Sequence, residues 1–230
     1  MNKTQSLAII ALAVLAVAFV TPAANADIIS YSDTFGPTGV PFSQTSVATL
    51  PQFDPSLGTL LSVTLTLDAS TFAGTIAWDN EASIPSDVTL GIGAEITATA
   101  MSTLTTVALP MQTGSADDID ADNDGAADFI GTDSFGVFGG IGSDSDSDST
   151  SVIAEMIPFI GIGTFPVMAE STVATYLTTD GGFGPIDPRP GLTEGTVTVE
   201  YEYAVPEPAT MTLLAVGGLG VISRRRRRRA

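Results

Sequence analysis

The chain contains no cysteine and no histidine, and almost all of its few basic residues sit at its two ends. Without cysteine there can be no disulfide, no thiol nucleophile and no thiolate metal ligand. Without histidine there is no Ser-His-Asp triad and no imidazole metal site. Lysine occurs only at Lys3, and the arginines are Arg189 and Arg224 to Arg229. Residues 27–204 therefore hold 25 of the 26 acidic residues but one of the eight basic ones, a formal charge of −24 against −18 for the whole chain. No Schiff-base lysine is available to that region, and a lone arginine makes phosphoryl transfer implausible. Such a body repels nucleic acid and anionic lipid, attracts cations and stays soluble by self-repulsion. Carboxylate chemistry, as in glycosidases, is the one common hydrolytic route left open. Glu95, Glu155, Glu170 and Glu200 are available for it, but nothing in their spacing pairs them, and a non-enzyme is expected.

The ends read as addresses. Lys3 supplies a positive start, Leu7 to Val20 is apolar, and Ala24-Asn25-Ala26 is a small-residue cleavage site. Residues 1–26 thus read as a secretory signal peptide, cut by signal peptidase before Asp27. At the other end Ala209 to Ser223 is uncharged and Arg224, Arg225, Arg226, Arg227, Arg228 and Arg229 follow it. As a helix the 15 uncharged residues span about 22 Å, short of a bilayer core of about 30 Å unless the arginines snorkel. The positive-inside rule keeps the arginines cytoplasmic, with the body exported. Pro206 and Pro208 hold the segment before this short transmembrane helix extended, where a processing enzyme can grip it.

Val205-Pro206-Glu207-Pro208, the apolar run and the arginine cluster, in that order, resemble the PEP-CTERM sorting signal of Gram-negative bacteria. The resemblance implies that exosortase recognises Pro206, Glu207 and Pro208 within residues 205–230 and removes the tail. It implies transport through the inner membrane to the cell surface, outer membrane or extracellular matrix. It further implies an association with exopolysaccharide and biofilm.

Period-two alternation dominates residues 27–204. Leu61, Val63, Leu65 and Leu67 oppose Ser62, Thr64, Thr66 and Asp68; Val197, Val199, Tyr201 and Tyr203 oppose Thr196, Thr198, Glu200 and Glu202; Ile92, Ala94, Ile96 and Ala98 oppose Gly93, Glu95, Thr97 and Thr99. Residues 72–78, 171–177, 28–31 and 152–157 are further strand candidates. Asp54 to Gly58 and Asp180-Gly181-Gly182 read as turns. One face of each strand is polar, which predicts an all-β fold: a single antiparallel β-sandwich or jelly-roll-like domain. The stretch from Ser30 to Leu67 and "GTVTVEYEY" at Gly195 to Tyr203 resemble the choice-of-anchor E domain. That resemblance implies an extracellular β-rich module and carries no catalytic residues.

Residues 115–150 form an expected acidic loop. Asp120, Asp122 and Asp124 followed by Gly125 match the D-x-D-x-D-G start of a calcium loop, and Asp128 occupies its ninth position. The twelfth is Gly131, where an EF-hand places a bidentate glutamate. Two readings follow: an extracellular Ca²⁺ site closed by a distant carboxylate such as Asp117 or Asp133, or a solvated acidic loop. "SDSDSDS" at Ser143 to Ser149 alternates like a strand with an acidic edge, but such runs are more often low-complexity linker, the reading preferred here. Phe129, Phe135 and Phe138 either pack over the sandwich or offer a patch to a partner.

The sequence therefore leads to an exported, non-enzymatic surface or matrix protein that interacts with extracellular polysaccharide or surface proteins and not with nucleic acid. Ca²⁺ is the one expected cofactor. A carboxylate-based carbohydrate-active enzyme and a structural spacer are the alternatives.

Overall fold

A computed structural model describes residues 26–122 and 125–205, with the side chains of residues 45 and 46 left aside. The signal peptide up to residue 25 and the sorting tail from residue 206 lie outside the described residues. The elements are β1 (Ala26–Gly39), β2 (Phe42–Pro51), β3 (Thr59–Phe72), β4 (Thr75–Asp79), β5 (Ser86–Ala100), β6 (Leu104–Ala108), β7 (Met111–Ile119), β8 (Ser134–Phe138) and β9 (Ile141–Thr150). A short helix α1 (Ile153–Met156) and a 3-10 turn (Ile157–Phe159) follow, then β10 (Thr164–Thr179), β11 (Ile186–Arg189) and β12 (Leu192–Ala204). The chain divides into two compact units. The larger is Ile28–Pro55 with Leu60–Glu202; the described residues of the smaller are 26–27, 56–59 and 203–205. In the smaller unit the Tyr203 hydroxyl donates to the Asp27 carboxylate.

The larger unit is built on two sheets, in the orders β1-β12-β3-β9 and β2-β10-β5-β6, with β7 continuing beside β5. The pairing is nested: first strand with last, β2 with β10, β3 with β9, β5 with β6 and β7. A long hairpin rolled onto itself produces this pattern, which is the connectivity of a jelly roll. The alternation in the sequence says why it closes. Val63, Leu65 and Leu67 on β3, and Val197, Val199 and Tyr201 on β12, are fully buried. So are Ile96, Ala98 and Ala100 on β5 and Val167 on β10. Each large aliphatic buried this way contributes about 1.5–3 kcal/mol before entropy is subtracted.

Three further strands interrupt connections between the two sheets and form a third sheet, β11-β4-β8. Ile76 and Trp78 of β4 bury themselves with Val88, Leu90 and Ile92 of β5, and Phe135, Val137 and Ile186 pack around them. Of the three phenylalanines in doubt, Phe135 joins this core while Phe138 is 71 % exposed.

Three expectations are corrected. Residues 152–157 are not a strand: they form α1 and enter the 3-10 turn. The Thr150 hydroxyl accepts the Val152 N–H and donates to the Glu155 carboxylate, closing a turn where β9 ends. Pro158 then lacks the N–H that a ladder needs. Residues 72–78 divide into the end of β3 and the start of β4, because Ala73 adopts a φ of +59°. Residues 115–150 are mostly strand, and "SDSDSDS" lies wholly inside β9, opposite β3 from Val63↔Thr150 to Phe72↔Ile141.

Tyr201 ties the two sheets together: its buried hydroxyl donates to the Pro51 carbonyl at 2.8 Å. Burial, with Tyr31 adding a smaller electrostatic push, raises its ionisation far above that of an ordinary phenol. Tyr201→Phe removes the donor and leaves a part-buried carbonyl unmet. The expected loss is about 1–2 kcal/mol in urea unfolding, with an unchanged strand signal in circular dichroism.

Candidate functional site

In the register of β9 on β3, Asp144, Asp146 and Asp148 stand opposite Ala69, Leu67 and Leu65. Those three β3 residues are buried, so the aspartates share the inward side of the sheet. They avoid the core because β9 is an edge strand and their side chains reach sideways to β6, the edge of the other sheet. Asp148 Oδ2 accepts the Thr105 N–H at 2.9 Å, Asp146 Oδ2 the Val107 N–H at 2.9 Å, and Asp144 Oδ2 the Leu109 N–H at 2.7 Å. The period of two on β9 matches the period of two on the free edge of β6, whose alternate amides point away from β5. Unpaired edge amides invite pairing with another chain, and inward-pointing charges on edges oppose it. Gly142 starts this seam: a Cβ there would lie within 2.6 Å of the Met111 backbone, so β9 can approach β7 only with glycine at that place.

The same bond recurs around the molecule. Asp33 of β1 accepts the Thr49 N–H of β2 at the opposite seam. Asp87 accepts the Asp118 N–H, and Asp79 the Phe129 N–H. Asp180 accepts the Ser86 hydroxyl and the Asp87 N–H, which hold its carboxyl below the ordinary range. The only ion pair among the described residues is Arg189–Asp187, and it is exposed.

The metal candidates lie in the loop between β7 and β8. Asp122 accepts the Gly125 N–H and Asp128 the Ile130 N–H, as turn-forming side chains do. Asp120 is held through its backbone: its N–H donates to Thr132 and its carbonyl accepts from the buried Asn80 amide. Asp124 lies outside the described residues, as do Pro206, Glu207, Pro208 and Arg224 to Arg229. Among the described residues no three carboxylates are gathered where an ion would be held.

The glutamates are placed differently. Glu170 of β10 is opposite Thr97 of β5, and Thr172 is opposite Glu95, so Glu95 and Glu170 are diagonal neighbours. Such diagonal neighbours lie about 7–8 Å apart, with their Cβ atoms somewhat closer. Sequence spacing missed this pair because β5 and β10 are far apart in the chain. Both carboxylates point outward and lack side-chain partners among the described residues. Glu200 is exposed on β12, and Glu155 is engaged by Thr150. Beside Glu170 a shallow groove of about 180 Å³ is lined by Ser43, Gln44, Thr97, Thr99 and Met168. A second trough of about 580 Å³, of mixed polar and apolar lining, crosses the other sheet over Phe35, Asp68, Ser70, Ser143, Glu194 and Thr196.

Among known families, residues 204–228 match the PEP-CTERM protein-sorting motif. The motif implies an exported surface protein of a Gram-negative bacterium, processed by exosortase. No curated protein matches the chain. Solved structures with local likeness include the infectious bursal disease virus VP2 subviral particle, at 10 % identity over 80 % of this chain and 38 % of that one, TM-score 0.19. The Gx strain of the same virus gives 12 %, 90 %, 49 % and 0.19, and Turnip Yellow Mosaic Virus 10 %, 82 %, 99 % and 0.19. The chain thus spans less than half the length of the two bursal disease virus chains. Scores this low do not superpose whole domains, and nothing about function follows from them.

Two outcomes are expected of the carboxylate–amide bonds. Replacing Asp144, Asp146 and Asp148 together by alanine lowers the unfolding free energy by about 1 kcal/mol per site at these exposed positions, and by asparagine roughly half that, since one oxygen acceptor remains. Asp180, whose folded carboxyl is depressed, contributes stability above the unfolded value of 3.8 that is lost as pH falls through the folded one. Melting curves of Asp180→Asn are therefore expected to show a flatter acid limb below about pH 4 than wild type.

Proposed function

We propose that this chain is a non-enzymatic, exosortase-processed surface or matrix protein whose β-sandwich body contacts extracellular polysaccharide. The observation that carries the reading is the sorting motif at residues 204–228. The acidic body supports it: with one arginine in residues 27–204, the exported part is suited to neutral polymers, cations or other surface proteins, and ill suited to nucleic acid. The jelly-roll sandwich is compatible with a choice-of-anchor E module, and that assignment is part of the proposal. Once cut, the body sits on the outer membrane or in the matrix.

A glycosidase is the second reading, favoured by one observation, the diagonal Glu95–Glu170 pair. The pair stands on an open sheet face with nothing enclosing a scissile bond, and a binding role suits such a face better. Ca²⁺ binding by Asp120, Asp122, Asp124 and Asp128 is also proposed. It rests on their spacing, and the affinity expected is about 10⁻⁴ to 10⁻³ M.

Mass spectrometry of the exported protein tests the central reading. A chain beginning at Asp27 and lacking Arg224 to Arg229 is the expected product; an intact C-terminus rejects processing. Millimolar Ca²⁺ is expected to raise the melting temperature, less so in Asp120→Ala/Asp122→Ala; no rise counts against the loop.

A further inference from the structure

Strand register sets out the outward face of the β2-β10-β5 sheet row by row. Along β10 run Met168, Glu170, Thr172, Ala174, Tyr176 and Thr178; beside them on β5 stand Thr99, Thr97, Glu95, Gly93, Gly91 and Thr89. Beyond Gly93 and Gly91 come Met111 and Thr113 of β7. A Cβ on Gly91 would sit 2.9 Å from the end of the Met111 side chain and 3.2 Å from Tyr176 Cβ, so those two side chains close over the buried Gly91 and present their own surface there. Tyr176 is 46 % exposed and Met168 41 %. From Met168 to Tyr176 the face runs about 27 Å at the usual strand rise.

Three properties of this strip bear on its ligand. It alternates flat apolar surface with hydroxyls and carboxylates, as a sugar ring alternates C–H faces with hydroxyls; an aromatic ring supplies wide apolar contact at small entropic cost. Among the described residues its two glutamates have no side-chain partner, whereas Asp33, Asp144, Asp146 and Asp148 are bound to backbone amides, so both glutamates can accept bonds from ligand hydroxyls. It carries no cation, and the body around it is strongly acidic, so polymers bearing carboxylate or sulfate are repelled. The length of the strip favours a chain over a single residue, since each added contact acts at high effective concentration.

We infer that this face is a binding strip for a linear, uncharged polysaccharide, held by stacking on Tyr176 and by hydrogen bonds to Glu95, Glu170, Thr97 and Thr172. The inference rests on the polysaccharide-binding reading above and assigns it a place and a ligand class.

Affinity electrophoresis of the exported, processed protein tests it. Native gels contain either neutral polymers (dextran, laminarin, galactomannan, hydroxyethyl cellulose) or anionic ones (alginate, xanthan, hyaluronate). Retardation by at least one neutral polymer is expected. Tyr176→Ala and Glu95→Gln/Glu170→Gln are expected to weaken it at least tenfold, and Thr172→Arg to abolish it by bulk, with melting temperatures near wild type. Glu194→Gln, in the trough of the other sheet, is expected to leave it unchanged. Retardation that survives all three strip variants overturns the assigned place while leaving polysaccharide binding intact. Retardation by anionic polymers alone overturns the ligand class. No retardation in any gel overturns this inference and the polysaccharide reading together. Shortening of a retained polymer, measured by reducing ends, overturns the binding role in favour of hydrolysis.

Discussion

The hydrogen bond from a backbone N–H to an aspartate carboxylate is the interaction on which this structure depends. In a body with one arginine, which Asp187 takes, and no lysine, the other carboxylates have no cationic side chain to pair with. They find amides, which carry a partial positive charge and which edge strands and turns leave unmet. Asp144, Asp146 and Asp148 meet those of β6, and Asp33 meets one of β2. The two sheets of the jelly roll are thus joined along both seams by side chains in place of a ladder. Charge-assisted bonds of this kind are stronger than neutral ones, and they turn the acidity of the chain from a source of self-repulsion into a means of closing the fold. No disulfide is needed to hold the edges.

Closing the edges also bears on life outside the cell. A secreted β-protein with free edges risks pairing with its neighbours. Here the edge amides of β6 are taken, and the edge that takes them carries three charges. The same logic frees the broad outward faces for contact. The face bearing Met168, Glu170, Thr172 and Tyr176 holds glutamates that no amide engages, which sets it apart from the seams.

The alternation of Val63, Leu65 and Leu67, of Val197, Val199 and Tyr201, and of Ile96 and Ala98 made the sandwich legible, because apolar residues at period two have one physical reading. "SDSDSDS" was not legible as a strand: it has no apolar half, and its partners on β6 are separated from it by 35, 39 and 43 residues. α1 was missed because Val152, Ile153 and Ile157 look like strand residues, and a local hydroxyl–carboxylate turn overrides them. The Glu95–Glu170 pair depends on the register of two long strands, which no local spacing encodes. The sorting motif was legible since Pro206, Glu207, Pro208, the apolar run and the arginines form one contiguous signal that local sequence spells out in full.

Amide hydrogen exchange followed by NMR tests the seam most directly. The N–H groups of Thr105 and Val107 lie on the free edge of β6 and that of Leu109 just past its end, and without the aspartates they would face water. The account predicts slow exchange at all three in the wild-type protein and fast exchange in Asp144→Ala/Asp146→Ala/Asp148→Ala, while the Ile96 and Ala98 amides in the centre of the sheet remain protected. Fast exchange at these positions in the wild type, or unaltered protection in the triple variant, would contradict it.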